Sequence, residues 1–290
     1  MIYRRRASPL HSARAASGSS WCAALAIAAL AVSSPVFLAA VLAAVFAGGA
    51  LAGVGRELAR GLRWALPVAL AIAVINALVT TDGLTVIWRF GNLPVVGYRY
   101  VTAEATVYGA ILGLRAVILI LCGVLYTTCV DPDELLAMFR RVSYRSALSA
   151  TLATRLVPLL GRDARRLTDA QRCRPGRPPS RVALLRAATS NVLDRALDVA
   201  AALEVRGYAH ARSRAAPAAG RGPWSRHDLA FLGSAIAILG LAIGGRIAGL
   251  VDFGAYPSLS IATGGGAVAL SLAALACALA PFADRRGIRR

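Results

Sequence analysis

The chain of 290 residues contains no lysine; all 33 of its basic residues are arginine. That excludes a Gly-x-x-x-x-Gly-Lys-Ser/Thr loop, whose lysine reaches the nucleotide phosphates. Histidine is scarce as well: His11, His210 and His227 all lie outside the long apolar runs, and no Ser/His/Asp set accompanies them. Acids number 14, and none sits well inside an apolar run, so the spans lack the carboxylates that proton relays and general acid–base chemistry use. The five cysteines (Cys22, Cys122, Cys129, Cys173 and Cys277) are scattered, with no Cys-x-x-Cys and no Cys/His spacing suited to a metal. They read as small apolar filler in a reduced compartment. No catalytic constellation emerges.

What is abundant is apolar length. The chain is 57% hydrophobic with a mean hydropathy of +0.61, which places it among membrane proteins. Residues 15–55 carry no charge over 41 positions. As one helix they would extend roughly 60 Å, about twice the hydrocarbon thickness, so Ser33, Ser34 and Pro35 at the middle predict a tight hairpin between two spans. Further spans are expected at Trp64–Thr81, at Ala105–Val130 (interrupted only by Arg115), at Leu229–Gly245, and from near Leu259 within the uncharged 253–283. Arg4, Arg5 and Arg6 before an apolar stretch resemble a signal peptide, but the apolar run continues past the small residues at 31–34, so the segment is expected to remain as the first hairpin.

The net charge of +19 sorts by side. With the N-terminus inside, the inner segments 1–20, 56–63, 131–228 and 284–290 carry +4, +2, +9 and +3, whereas the outer segments 82–104 and 246–252 each sum to zero. This is the positive-inside pattern, so the charge reads as membrane orientation, with both termini and the long central segment cytoplasmic, and not as a nucleic-acid footprint. The predicted class is an all-α polytopic membrane protein of about six transmembrane helices: an N-terminal membrane region of four spans (1–130), cytoplasmic helices (131–227) and a C-terminal pair (228–290). Trp88, Phe90, Tyr98 and Tyr100 in the outer loop read as a headgroup belt. Gly264, Gly265 and Gly266 read as close helix packing.

The cytoplasmic segment is patterned as helices. Asp131, Pro132, Asp133 and Glu134 combine a cap, a first-turn proline and first-turn acids, and start a short helix to about Val142. A second helix runs from near Ser143 to Arg174, stopped by Pro175 and Gly176; a third runs from Ser180 to Arg206, stopped by Gly207. Their ends are related: Ala-Gln-Arg-Cys-Arg at 170–174 and Ala-Leu-Glu-Val-Arg at 202–206, with the two arginines 32 residues apart. One arginine at a helix C-terminus is accounted for by the macrodipole and the free carbonyls there. Two matched tips on one side of the membrane point also to docking, since the guanidinium fork suits carboxylates and carbonyls in a partner groove.

Across residues 109–207 the chain resembles the transmembrane T component of energy-coupling factor (ECF) transporters, relatives of the cobalt and nickel importer membrane subunits. The likeness rests on Gly-Leu-Arg-Ala at 113–116, Tyr-Thr-Thr-Cys-Val-Asp-Pro-Asp-Glu-Leu at 126–135, Thr-Arg-Leu-Val-Pro-Leu-Leu at 154–160 and the two tips. The resemblance implies a non-catalytic subunit that binds no cofactor itself. ATP and magnesium sit on two ABC-type ATPase subunits, and a small membrane S component captures the vitamin or metal ion and sets the substrate. Two coupling helices, each tipped by an Ala-Arg-Gly-like triplet, link them. Here the triplets are Cys173, Arg174, Pro175 and Val205, Arg206, Gly207, the first departing from the family form because proline stands where glycine is usual. The resemblance also places an arginine at Arg115, which reads as a structural contact inside the bundle, with a functional intramembrane charge as the other possibility. Two further classes remain: a self-sufficient secondary transporter, which normally shows intramembrane acids and broken helices, and a membrane scaffold that recruits cytosolic proteins without transport.

Overall fold

The structure, a computed structural model, describes residues 6–80, 85–93, 97–139, 144–173, 181–206, 224–251, 253–254, 260–261 and 264–284. In chain order these form α1 (Pro9–Ser12), α2 (Ala15–Ala31), α3 (Pro35–Leu51), α4 (Gly55–Val79), β1 (Val86–Leu93), β2 (Gly97–Thr102), α5 (Ala103–Cys129), α6 (Pro132–Phe139), α7 (Tyr144–Arg172), α8 (Arg181–Val205), α9 (Arg226–Ile247), β3 (Phe253–Gly254), β4 (Ser260–Ile261) and α10 (Gly265–Leu279), closed by a 3-10 turn at Ala280–Phe282. Contacts divide the chain into two compact units, Met1–Pro132 with Pro223–Arg290, and Asp133–Gly222.

The first unit is an apolar helical bundle. α4, α5, α9 and the segment Gly265–Phe282 are each long and apolar enough to cross a bilayer, while α2 and α3 are apolar helices of 17 residues. At ~1.5 Å per residue that is roughly 25 Å, slightly less than the hydrocarbon core. The two are joined as the sequence predicts. Val32 and Ser34 are extended, and Pro35 opens α3 at a position where its missing N–H is not needed. α3 stops at Gly53, whose φ of +74° lets the N–H groups of Gly53 and Val54 return to the carbonyls of Ala50 and Gly49. α2 packs chiefly on α9 and α5, α3 on α10, and α4 on α5. At the centre Trp21, Phe231 and Phe282 meet edge to face, with ring centroids 5.3–5.9 Å apart.

Three features differ from the sequence expectation. Val86–Leu93 and Gly97–Thr102 form an antiparallel pair, β1 with β2, where the sequence suggests a plain loop, with register shifts after Val86 and Arg89. Their β-branched and aromatic content (Val86, Ile87, Trp88, Tyr98, Tyr100, Val101) suits a strand pair. The last span begins at Gly265 and not near Leu259, because Ser260 and Ile261 pair first with Phe253 and Gly254. The close helix packing expected at Gly264–Gly266 is found elsewhere: only Gly266 of the three meets a neighbour, the Leu250 side chain. The tight approach is between α4 and α5. A Cβ on Gly109 would lie 2.8 Å from the Ala73 carbonyl, and one on Gly113 2.8 Å from that of Ala69. Gly109 and Gly113 thus face Ala73 and Ala69 as paired small-xxx-small motifs.

Polar groups lock the ends of α2 and α9 together. Ser225 and Asp228 form a reciprocal capping box at the start of α9. The same Asp228 carboxylate, only 2% exposed, accepts the backbone N–H of Arg14 at 2.6 Å and pairs with the Arg14 guanidinium at 3.3 Å. Arg14 also stacks over the Trp224 ring at 5.4 Å. One anion therefore serves the N-terminal, dipole-positive ends of two helices. Nearby, Arg6 bonds the Gly53 carbonyl and pairs with Glu57 at 2.7 Å, tying the N-terminal segment to the turn before α4. The His11 ring lies buried beside the Ser8 hydroxyl, 2.7 Å from its Nδ1.

Three outcomes are expected. Gly113→Leu forces α4 from α5 and lowers thermal stability in detergent by about 1–3 kcal/mol or more, whereas Gly123→Leu, on an open face, leaves it unchanged. Asp228→Ala costs about 2–4 kcal/mol, because a buried partner of one cation and two backbone donors is lost; the same denaturation measurement on Arg14→Ala should show a smaller loss. Burial holds the His11 ring below its ordinary value of 6.5, against the opposing effect of its bond to the Thr128 backbone. The unfolded chain then binds a proton that the folded one excludes, so the melting temperature should be flat above pH 7 and fall below about 6.5, and His11→Gln should flatten that slope.

Candidate functional site

The second unit contains α6, α7 and α8. The acids Asp133 and Glu134 lie in the first turn of α6, where they favour the helix dipole. α7 has 29 residues and α8 has 25, so their lengths are roughly 43 and 37 Å. Both are rich in alanine, leucine and arginine, which lose little side-chain freedom in a helix.

The helices meet where Arg195 Nη1 of α8 lies 2.7 Å from Asp163 Oδ2 of α7. Around this pair Leu160, Ala164 and Leu167 face Asn191 and Val192 across a shallow cavity. Asp163 precedes Arg174 by eleven positions, and Arg195 precedes Arg206 by eleven. The contact therefore pins the two helices at corresponding points of their related sequences, with arms of about 15 Å running from it toward each tip.

At the end of α8 the helical bonding extends to Arg206, whose N–H reaches the Ala202 carbonyl at 3.2 Å. Val205 is 90% exposed and Arg206 is exposed beside it. Leu193, Leu197, Ala201 and Val205, at steps of four, make an exposed row that leads to this tip. Arg206 takes part in none of the ion pairs among the described residues. At the end of α7 the Cys173 N–H reaches the Asp169 carbonyl at 3.2 Å and its side chain is exposed. Arg174, Pro175 and Gly207 lie outside the described residues.

Arg115 lies in the first unit. Its Nη2 donates to the Val32 carbonyl at 3.2 Å and to the Ser33 hydroxyl at 3.1 Å. A second arginine converges there: Arg246, in the last turn of α9, donates from Nη1 to the Ala31 carbonyl at 2.7 Å. Two guanidiniums from different helices thus satisfy consecutive carbonyls at the dipole-negative end of α2. The sequence reading counted Arg246 only as an outer-loop charge. Its place in the closing turn of an apolar helix was the available signal, since basic residues favour that position. Among the described residues no cluster of His, Cys, Asp or Glu is arranged to hold a metal ion.

A model of the CbiQ family, described as cobalt transport protein, matches residues 6–216. No curated protein matches the chain. The family match covers well over half of the chain and takes in both α7 and α8. The apolar helices and this match together make the chain a multi-pass membrane protein and a member of the CbiQ family of cobalt transport proteins, which is the T-component family its motifs resemble.

Proposed function

We propose that this chain is the membrane-embedded coupling subunit of an ECF-type importer. It transmits ATP-driven motion from two ABC-type ATPase subunits to a small substrate-capturing S component, and binds no nucleotide or cofactor itself. Cobalt is the cargo that the family name favours. The observation that carries this reading is the paired-arm geometry of α7 and α8: equivalent positions are joined by the Asp163–Arg195 pair, and an exposed Val205–Arg206 tip ends one arm. Two stiff arms pinned at one point convert a displacement of their tips into rotation about that point.

In this reading Cys173, Arg174, Pro175 and Val205, Arg206, Gly207 dock on the two ATPases, on the cytoplasmic side. Arginine suits the task because its guanidinium stays charged and offers several donors in a fixed plane. ATP binding draws the ATPases together and moves the tips. The exposed apolar row of α8 passes the movement to the S component. The shift achieved is limited by how differently the two states bind the tips, so the arginine contacts must be strong. Arg115, bonded to Val32 and Ser33, holds the bundle and takes no direct part.

Arg206→Glu should leave membrane insertion and melting temperature unchanged, weaken ATPase association by about 2–5 kcal/mol and abolish uptake. Arg174→Ala should act in the same direction. Co-purification with ATPase subunits and reconstituted uptake check both, and normal uptake by Arg206→Glu would overturn the reading. Uptake by the chain alone under an ion gradient would replace it with a secondary transporter. Co-purification with ATPases but no uptake, even with an S component supplied, would leave a scaffold.

A further inference from the structure

α4 is the least enclosed of the long apolar helices, with only Leu58, Gly61 and Ala65 buried. Its outward face follows one stripe at steps of three and four: Arg56, Arg60, Arg63, Pro67, Leu70, Val74 and Leu78. Arg56, Arg60 and Arg63 are exposed, and none belongs to the ion pairs found among the described residues. The acid on the same helix turn, Glu57, is held by Arg6 at 2.7 Å. Trp64, 75% exposed, follows at once, and beyond it Leu70, Val74 and Leu78 are all exposed.

The face thus changes from three cations to aliphatic side chains within about two turns, with an indole at the border. A helix passing from the headgroup layer into hydrocarbon has this pattern. Three guanidiniums on a single stripe call for an anion with several oxygen acceptors, and the aliphatic row about two turns away calls for an apolar chain attached to it. A phospholipid with net negative charge meets both demands in one molecule: its phosphate lies against the arginines and its acyl chains along Leu70, Val74 and Leu78. Water or a free anion would leave the aliphatic row exposed.

We infer that the α4 stripe Arg56–Arg60–Arg63–Trp64 is a binding site for an anionic phospholipid of the leaflet on the side of the α4 N-terminus. Each arginine near a charged bilayer surface contributes about fivefold in affinity, so the three together give on the order of a hundredfold preference over a zwitterionic lipid.

The test is native mass spectrometry of the full chain released from mixed micelles containing phosphatidylglycerol or phosphatidylcholine. The wild type should retain phosphatidylglycerol preferentially. The triple variant Arg56→Gln/Arg60→Gln/Arg63→Gln should lose that preference about a hundredfold. A control with the same charge loss at exposed positions of α7, Arg162→Gln/Arg165→Gln/Arg166→Gln, should keep it. If the α4 triple variant does not fold, the single change Arg60→Gln should cost about fivefold by the same readout. Equal retention in wild type and α4 variant, or equal loss in the α7 control, overturns the inference. So does equally tight binding of soluble glycerol phosphate, which would mark a simple anion site, or displacement of the lipid by an acidic peptide, which would mark a protein interface.

Discussion

The bundle depends on how the two ends of α2 are satisfied. α2 is enclosed by other helices along most of its surface, with Ala23, Ile27 and Leu30 the exposed positions, and the N–H and C=O groups left free at its ends need partners. Here the N-terminal end receives a carboxylate and the C-terminal end two guanidiniums, and all three come from other helices: Asp228 and Arg246 from α9, Arg115 from α5. α9 is bound at both of its own ends to the same helix, N-terminus beside N-terminus and C-terminus beside C-terminus, which fixes the parallel alignment of α2 and α9. α5 is located by Arg115, and α4 follows α5 through the Gly109 and Gly113 contacts. A few charged groups in an apolar bundle thus set the register that greasy surfaces alone leave loose.

Local signals in the sequence were sufficient for most elements. The hairpin at Ser33–Pro35, the proline and acids that open α6, and the ends of α7 and α8 each depend on residues within a few positions of the boundary, and the structure has them there within two or three residues. What was not legible depended on partners far along the chain. Nothing local tells that Asp228, beyond capping its own helix, also reaches Arg14, or that Arg246 turns to Ala31. The glycine triplet at 264–266 looks more conspicuous than Gly109 and Gly113, yet close approach is decided by what lies opposite, and Ala69 and Ala73 lie opposite α5. The β1–β2 pair was hidden because its aromatic residues are equally at home at a membrane border.

The second unit is built on other terms. α7 and α8 expose much of their length and touch at one short stretch, so their mutual arrangement depends on few contacts, the Asp163–Arg195 pair and the side chains of Leu160, Leu167 and Val192 around it. Few buried contacts mean low local stability, which suits elements that must move. For Arg174 and Arg206 the related sequence context was visible directly, whereas the crossing at matched positions appears only when the helices are seen together. The family match ends at residue 216, so it includes these arms but not α9, the helix that completes the clamp on α2.

That last point bears on biogenesis. The hydrogen bonds that complete α2 join residues 214 and 215 positions apart. A ribosome delivers α2 to the membrane among the first helices and α9 near the end, at roughly 5–20 residues per second, so the earliest segment waits on the order of ten seconds or more for its partners. Of the three partners only Arg115, 83 positions from Val32, is made earlier; Asp228 and Arg246 complete the ends of α2 once α9 has emerged.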